Sequence, residues 1–186
     1  MLRETAPPSA SAEVLAELAR HMRLAPDFAS EQSAELADVF AGAVAHIEAT
    51  LGLCIAPRGF TWRACFNDDG RTQPPMSPIR ALTSATDPVD GGAAPLEDFA
   101  LDTAETRTVI EAPKWRGRQV DLAFDAGFGA DWSETPSDLR QAVKMLAAHY
   151  YDQRHTAGGD ARETLYGVAS LIQRWRPMRL TLGAGA

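Results

Sequence analysis

Hydrophobic residues in the first 52 positions recur at steps of three and four, the spacing of one face of a helix. A short helix is predicted from Ser9 to Arg23, and Pro26 is expected to end it. A longer helix is predicted to begin at a Ser30 N-cap and to end at Gly52, which suits a left-handed C-terminal position. Its apolar stripe comprises Leu36, Val39, Phe40, Ala43, Val44, Ile47 and Leu51.

After Gly52 the hydrophobic period changes to two, which is typical of half-buried strands. The first strand alternates Phe60, Trp62, Ala64 and Phe66 with Thr61, Arg63 and Cys65. Short strands are also predicted near 80–86, 98–102, 107–111 and 118–124, with a turn at 67–70 and a flexible loop at 87–95. Prolines at 57, 74, 75 and 78 exclude a continuous helix here. The middle of the chain therefore predicts a small antiparallel β-region inserted between helices.

The segment Thr135-Pro136-Ser137-Asp138 is typical of a helix start, because it combines a capping hydroxyl, a proline and an acid. That helix should run to about Arg154, and a final helix is predicted from Ala161 to Arg176 after a glycine hinge at 158–159. The predicted fold class is mainly α: a small helical bundle with an inserted small antiparallel β-region and a hinged C-terminal helix. The predicted division is a helical body, 1–157, with the insertion at about 53–130, and a C-terminal helix and tail, 158–186.

Composition excludes several classes of protein. The 186 residues are 45% hydrophobic and 23% charged, which disfavours general disorder, and no apolar run approaches the ~20 residues of a membrane span. The net charge of -7 is unevenly distributed. Residues 1–139 hold 11 basic and 22 acidic side chains, for -11, whereas residues 140–186 hold 7 and 3, for +4. An acidic body thus precedes a basic C-terminal segment.

Candidate catalytic and metal-binding residues are few. Cys54 and Cys65 are spaced too widely for a zinc finger and are expected to be core or half-buried thiols. His149, Asp152 and His155 form the best metal or acid-base candidate, although three-residue steps drift around a helix and an exposed polar cluster explains them better. No dinucleotide fingerprint, phosphate loop or nucleophile elbow occurs. We therefore expect no cofactor, no metal and no catalysis, with a small cytoplasmic enzyme using this cluster as the alternative.

The C-terminal segment is the strongest candidate for an interaction surface. Arg174-Trp175-Arg176-Pro177-Met178-Arg179-Leu180 combines the residue types enriched at interface centres. A docking arm is one interpretation; the other is that Trp175 packs on the protein's own core while the arginines are solvated. Nucleic-acid binding is disfavoured because the protein as a whole is acidic.

The order of these elements is familiar. A helix ends at Ala49 to Gly52, Met76-Ser77-Pro78-Ile79 precedes a strand, and a later strand runs into Asp125-Ala126-Gly127-Phe128-Gly129. The helix that begins at Pro136 follows, and its last residues are Ala147 to Arg154. This arrangement resembles the head-tail connector (adaptor) family of long-tailed bacteriophages and gene transfer agents, over residues 12 to 180.

The resemblance implies a structural protein at the head-tail junction, made in the bacterial cytoplasm. Such connectors form a ring, commonly of twelve copies, beneath the portal protein; the ring extends the DNA channel and meets the stopper, the next neck protein. Double-stranded DNA would pass through without specific binding. The implied portal-binding residues are Arg162, Leu165, Ile172, Arg174, Trp175, Arg176, Met178, Arg179 and Leu180. The helices at 30–51 and 136–154 are expected to form the ring walls. Another neck protein, such as a stopper, is the alternative within the same particle.

Overall fold

The computed structural model describes residues 1–104, 106–153 and 161–176. Five α-helices lie within these ranges: α1 (Ala12–His21), α2 (Pro26–Glu31), α3 (Ser33–Leu51), α4 (Ser137–Gln153) and α5 (Ala161–Ile172). A 3-10 turn, Gln173–Trp175, continues α5. None of the described helices is long and apolar enough to cross a membrane.

The N-terminal helices follow the predicted pattern with one local difference. Helix α3 ends at Gly52, whose φ of 69° is the left-handed conformation that the sequence indicates. The Ser30 N-cap, however, is wrong, because Ser30 lies inside α2 and its hydroxyl donates to the carbonyl of Asp27. Pro26 begins α2 in place of simply ending α1, since proline is tolerated in the first helical turn.

Seven described strands form two antiparallel sheets. Strands β1 (Leu2–Glu4), β2 (Arg58–Cys65), β7 (Gln119–Ala126) and β4 (Ile79–Thr86) make a four-stranded sheet in the order β1-β2-β7-β4. Strands β3 (Arg71–Thr72), β6 (Thr108–Glu111) and β5 (Ala100–Thr103) make a three-stranded sheet in the order β3-β6-β5. The five predicted strands are confirmed to within a few residues, whereas β1 and β3 come from segments where none was predicted.

The mainly-α fold class is wrong. The structure is 44% helical and 25% strand, with two sheets, and is an α+β fold. The physical reason is that the β-region has its own core. The inward faces of the strands bury residues that include Phe60, Phe66, Ile110 and Phe124, separately from the helical core around α3 and α4. Each short strand has one apolar face, and in the sequence each strand alone suggests only a minor insertion. When the strands pair, their apolar faces together form a second core.

Glu48 joins the two cores. Its carboxylate is buried and accepts hydrogen bonds from the backbone N–H groups of Ile55, at 2.6 Å, and Ala56, at 3.2 Å. It also accepts two from Arg58, at 2.9 and 2.6 Å. Burial lowers the pKa of Arg58, but hydrogen bonding to Glu48 outweighs this and holds that pKa above its ordinary value. Glu48 therefore fixes the crossing from α3 to β2.

Candidate assembly surfaces

The C-terminal segment packs against the start of α4. Trp175 is 2% exposed; its indole N–H donates to a carboxylate oxygen of Asp138 at 2.8 Å, and its ring meets Phe128 edge-on at 5.3 Å. The guanidinium of Arg174 binds the same Asp138 oxygen at 2.8 Å and lies over the Trp175 ring. Asp138 thus binds two neighbouring residues of the C-terminal segment, Arg174 and Trp175.

The predicted portal-binding residues occupy different environments. Ile172 and Trp175 are buried in the helical core together with Val168, whereas Arg174 and Arg176 are exposed. Arg162 and Leu165 fall within α5, but their side chains lie outside the described part of the chain. Met178, Arg179 and Leu180 lie outside it altogether, as does the predicted hinge at 158–159. The portal assignment stays a prediction, and the surface available to it near the end of α5 is arginine-rich.

Helix α4 is the central helix of the bundle. It packs against α1, α3 and α5, and within Ser137–Gln153 only Ser137 and Asp152 are exposed. A polar side chain of α4 also contacts a neighbouring helix, because Lys144 forms an ion pair with Glu17 of α1 at 2.7 Å. Helix α4 is therefore largely covered by its neighbours in the described part of the chain, and its place in a ring wall stays a prediction.

Only part of the predicted His149, Asp152 and His155 cluster lies within the described residues. His149 is half-buried beside Tyr150, Asp152 is exposed, and His155 lies outside the described residues. Among the described residues no group of three or more His, Cys, Asp or Glu side chains could hold a metal ion.

The two cysteines differ from each other. Cys54 is fully buried, and burial together with Glu48 raises the pKa of its thiol to about 12. Cys65 is exposed, so the expectation that both are core or half-buried is wrong for this residue. The reason is register: Cys65 pairs with Gln119 on the face of the four-stranded sheet opposite to Phe60 and Ala64.

No family model and no curated protein matches the chain. Solved structures do. The chain is 32% identical to a protein of the neck of an empty GTA particle computed with C6 symmetry, with 100% of both chains covered and a TM-score of 0.80. It is 28% identical, again over 100% of both chains, to one from the neck of a native GTA particle computed with C12 symmetry, with a TM-score of 0.75. A chain of the virion of a native gene transfer agent particle is 31% identical over 98% of each chain, with a TM-score of 0.75.

These likenesses extend over both cores and define a class of structural particle proteins. The chain belongs to the head-tail connector (neck) family of gene transfer agent particles. Its role is structural, and its place is the head-tail junction. The predicted family, role and location are thereby confirmed.

Proposed function

We propose that the chain assembles into a ring of twelve copies beneath the portal protein, and that this ring extends the DNA channel and joins the capsid to the stopper and tail without catalysing a reaction. The observation that carries this proposal is full-length similarity to proteins from necks computed with C6 and C12 symmetry. A closed ring of identical copies is held by heterologous contacts, so each copy needs two different contact surfaces.

The negative net charge of residues 1–139 supports the proposed role as a DNA channel. Residues 1–139 carry a net charge of -11, and carboxylates facing a lumen would repel the phosphate backbone and let DNA slide. Duplex DNA should therefore bind the purified protein weakly even at low salt. Micromolar or tighter binding with a steep salt dependence would instead indicate a DNA-binding module.

The C-terminal segment is our candidate for portal docking. Arg174 and Arg176 are exposed beside the buried Trp175, and Met178, Arg179 and Leu180 follow within four residues. Arginine forms forked hydrogen bonds with carboxylates, which suits an acidic recess on a partner. In this arrangement Trp175 fixes the direction in which the segment leaves the body, and the residues around and after it make the contact.

Truncation tests the docking role. Deleting everything from Arg162 would also remove Val168, Ile172 and Trp175 from the core, so a failure to assemble could reflect misfolding. Deleting residues 177–186 leaves these core residues in place. We expect this variant to unfold at the wild-type temperature but to yield heads without tails. A normal yield of tailed particles would contradict portal docking by the tail.

A further inference from the structure

Hydrogen bonds within the loop at residues 87–96, and from Arg118 to it, constrain its backbone, although its sequence suggests flexibility. The N–H of Asp87 donates to the Gly92 carbonyl, and the N–H of Gly91 to the Asp87 carbonyl, both at 2.9 Å. The Asp87 carboxylate accepts from the N–H of Val89 at 2.9 Å and from Arg118 at 2.5 Å. A loop ordered in advance loses little conformational entropy on binding, so this one is suited to contact a partner.

The same loop exposes an apolar surface. Val89 is 90% exposed and Leu96 is 39% exposed. Ala93 and Pro95 are exposed between them. A single exposed apolar residue is ordinary, but several on one ordered loop form a patch. Asp90 adds a carboxylate at the tip, where it accepts a hydrogen bond from the N–H of Gly92 at 2.8 Å.

A recess on the open face of the four-stranded sheet complements this patch. Its volume is about 520 Å³, and its lining includes Met1, Arg3, Thr61, Trp62 and Leu122. It also contains the Arg63–Asp121 ion pair at 2.7 Å, whereas Arg3 has no ion pair among the described residues. The recess therefore combines apolar groups with an unbalanced positive charge.

The positions of the two surfaces suit a contact between neighbours. The recess is lined by Ser84 and Thr86 of the edge strand β4, and the loop follows β4 directly in the chain. None of the residues lining the recess belongs to the loop. A closed ring of identical copies requires two different surfaces on each copy, and the loop and the recess are two such surfaces.

We infer that the 87–96 loop of one copy docks into this recess on the next copy and forms part of the ring interface. This inference rests on the ring of the proposed function. Val89 supplies the apolar contact, and Asp90 lies opposite the unpaired Arg3. A second copy of this chain is the occupant because the apolar patch, its negative charge and the complementary positive recess all occur on one molecule. The covered surface of α4 agrees with this assignment.

Cross-linking in purified particles tests the contact. Cysteines are introduced as Val89→Cys and Thr61→Cys in a Cys65→Ser background, and the particles are treated with a short bismaleimide. The double variant should give a ladder of covalent multimers on a denaturing gel, because each copy links to two neighbours. Each single variant should give no ladder. Cys54 should not interfere because its thiol is buried.

Val89→Cys combined with Arg107→Cys is the matched control, since Arg107 is exposed near the other sheet. A ladder from this control, or none from the Val89 and Thr61 pair when necks contain the normal copy number, would overturn the inference and leave the proposed ring intact. Wild-type particles whose necks lack the protein would instead refute the proposed function.

Charge exchange provides a second test that does not depend on cysteine geometry. Asp90→Arg would place two positive charges in contact at the Arg3 recess and should lower the yield of tailed particles about tenfold, because like charges at an interface repel each other. Adding Arg3→Asp should restore most of that yield. Unchanged yield in Asp90→Arg, or no recovery in the double variant although both proteins unfold at the wild-type temperature, would contradict the inferred pairing.

Discussion

Replacing Glu48 by glutamine should destabilise the junction between the two cores. The Glu48 and Arg58 side chains are 4% and 6% exposed, so their charges are withdrawn from water together. Glutamine keeps one oxygen to accept from the N–H groups of Ile55 and Ala56, but it places an amide nitrogen against the guanidinium donors of Arg58. Removing one partner of a buried ion pair costs about 3–5 kcal/mol. For a chain of this size, that corresponds to a Tm lower by about 6–20 °C.

Urea unfolding followed by circular dichroism gives the free energy, and calorimetry gives Tm. Glu4→Gln is the matched control, because Glu4 also binds Arg58, at 2.9 Å, but is 44% exposed; it should cost less than about 1 kcal/mol. In Glu48→Gln the buried guanidinium of Arg58 keeps only the exposed Glu4 as an ionic partner. Adding Arg58→Met removes that charge, so the double variant should be more stable than Glu48→Gln alone. A loss below about 1 kcal/mol for Glu48→Gln would refute the reasoning.

Three further predictions concern single residues. In the folded free chain at pH 8, a thiol reagent should modify Cys65 rapidly and Cys54 only after unfolding; equal rates would contradict the burial that raises the Cys54 pKa. Gly127→Ala should destabilise more than Gly117→Ala: both residues have positive φ, but at Gly127 a Cβ would lie 2.9 Å from a proline Cα, whereas Gly117 has open space. Trp175→Ala should cost about 3–5 kcal/mol in urea unfolding, and Trp175→Phe less, because phenylalanine loses the indole hydrogen bond but retains most of the buried ring.

Local signals explain why most elements could be predicted. The sequence shows a hydrophobic period of three and four in α3, a glycine at the end of that helix and a period of two in β2. It also shows a proline before α4 and an acid in its first turn. Each of these signals involves only residues that are close together in the chain. The Ser30 cap failed for a local reason, since its hydroxyl donates to the carbonyl of Asp27 three residues earlier. The role of another predicted cap depends on a distant residue. Thr135, predicted as a cap, instead donates its hydroxyl to the carbonyl of Ile55, 80 residues away in the chain.

At the candidate assembly surface, too, the sequence indicated which residues matter, and tertiary contacts decided their surroundings. The sequence identified the Arg174-Trp175-Arg176 segment and left two interpretations of Trp175 open. Its buried position depends on Asp138, which lies 37 residues earlier, and on Phe128. The glycines of the 87–95 segment predict a flexible loop, and they give no indication that Arg118, 31 residues from Asp87, binds that aspartate.

The sequence by itself determined the order and type of most elements, the acidic body with its basic C-terminal segment, and the resemblance to neck connectors. It could do so because hydrophobic periodicity and the positions of glycine and proline are local properties, and because net charge is a sum over residues. Only the tertiary structure decided that the β-region is a second core, that Glu48 joins the two cores, and that Cys65 and the 87–96 loop face outward. Those features arise from strand pairing and burial between residues far apart in the chain, which no local pattern specifies.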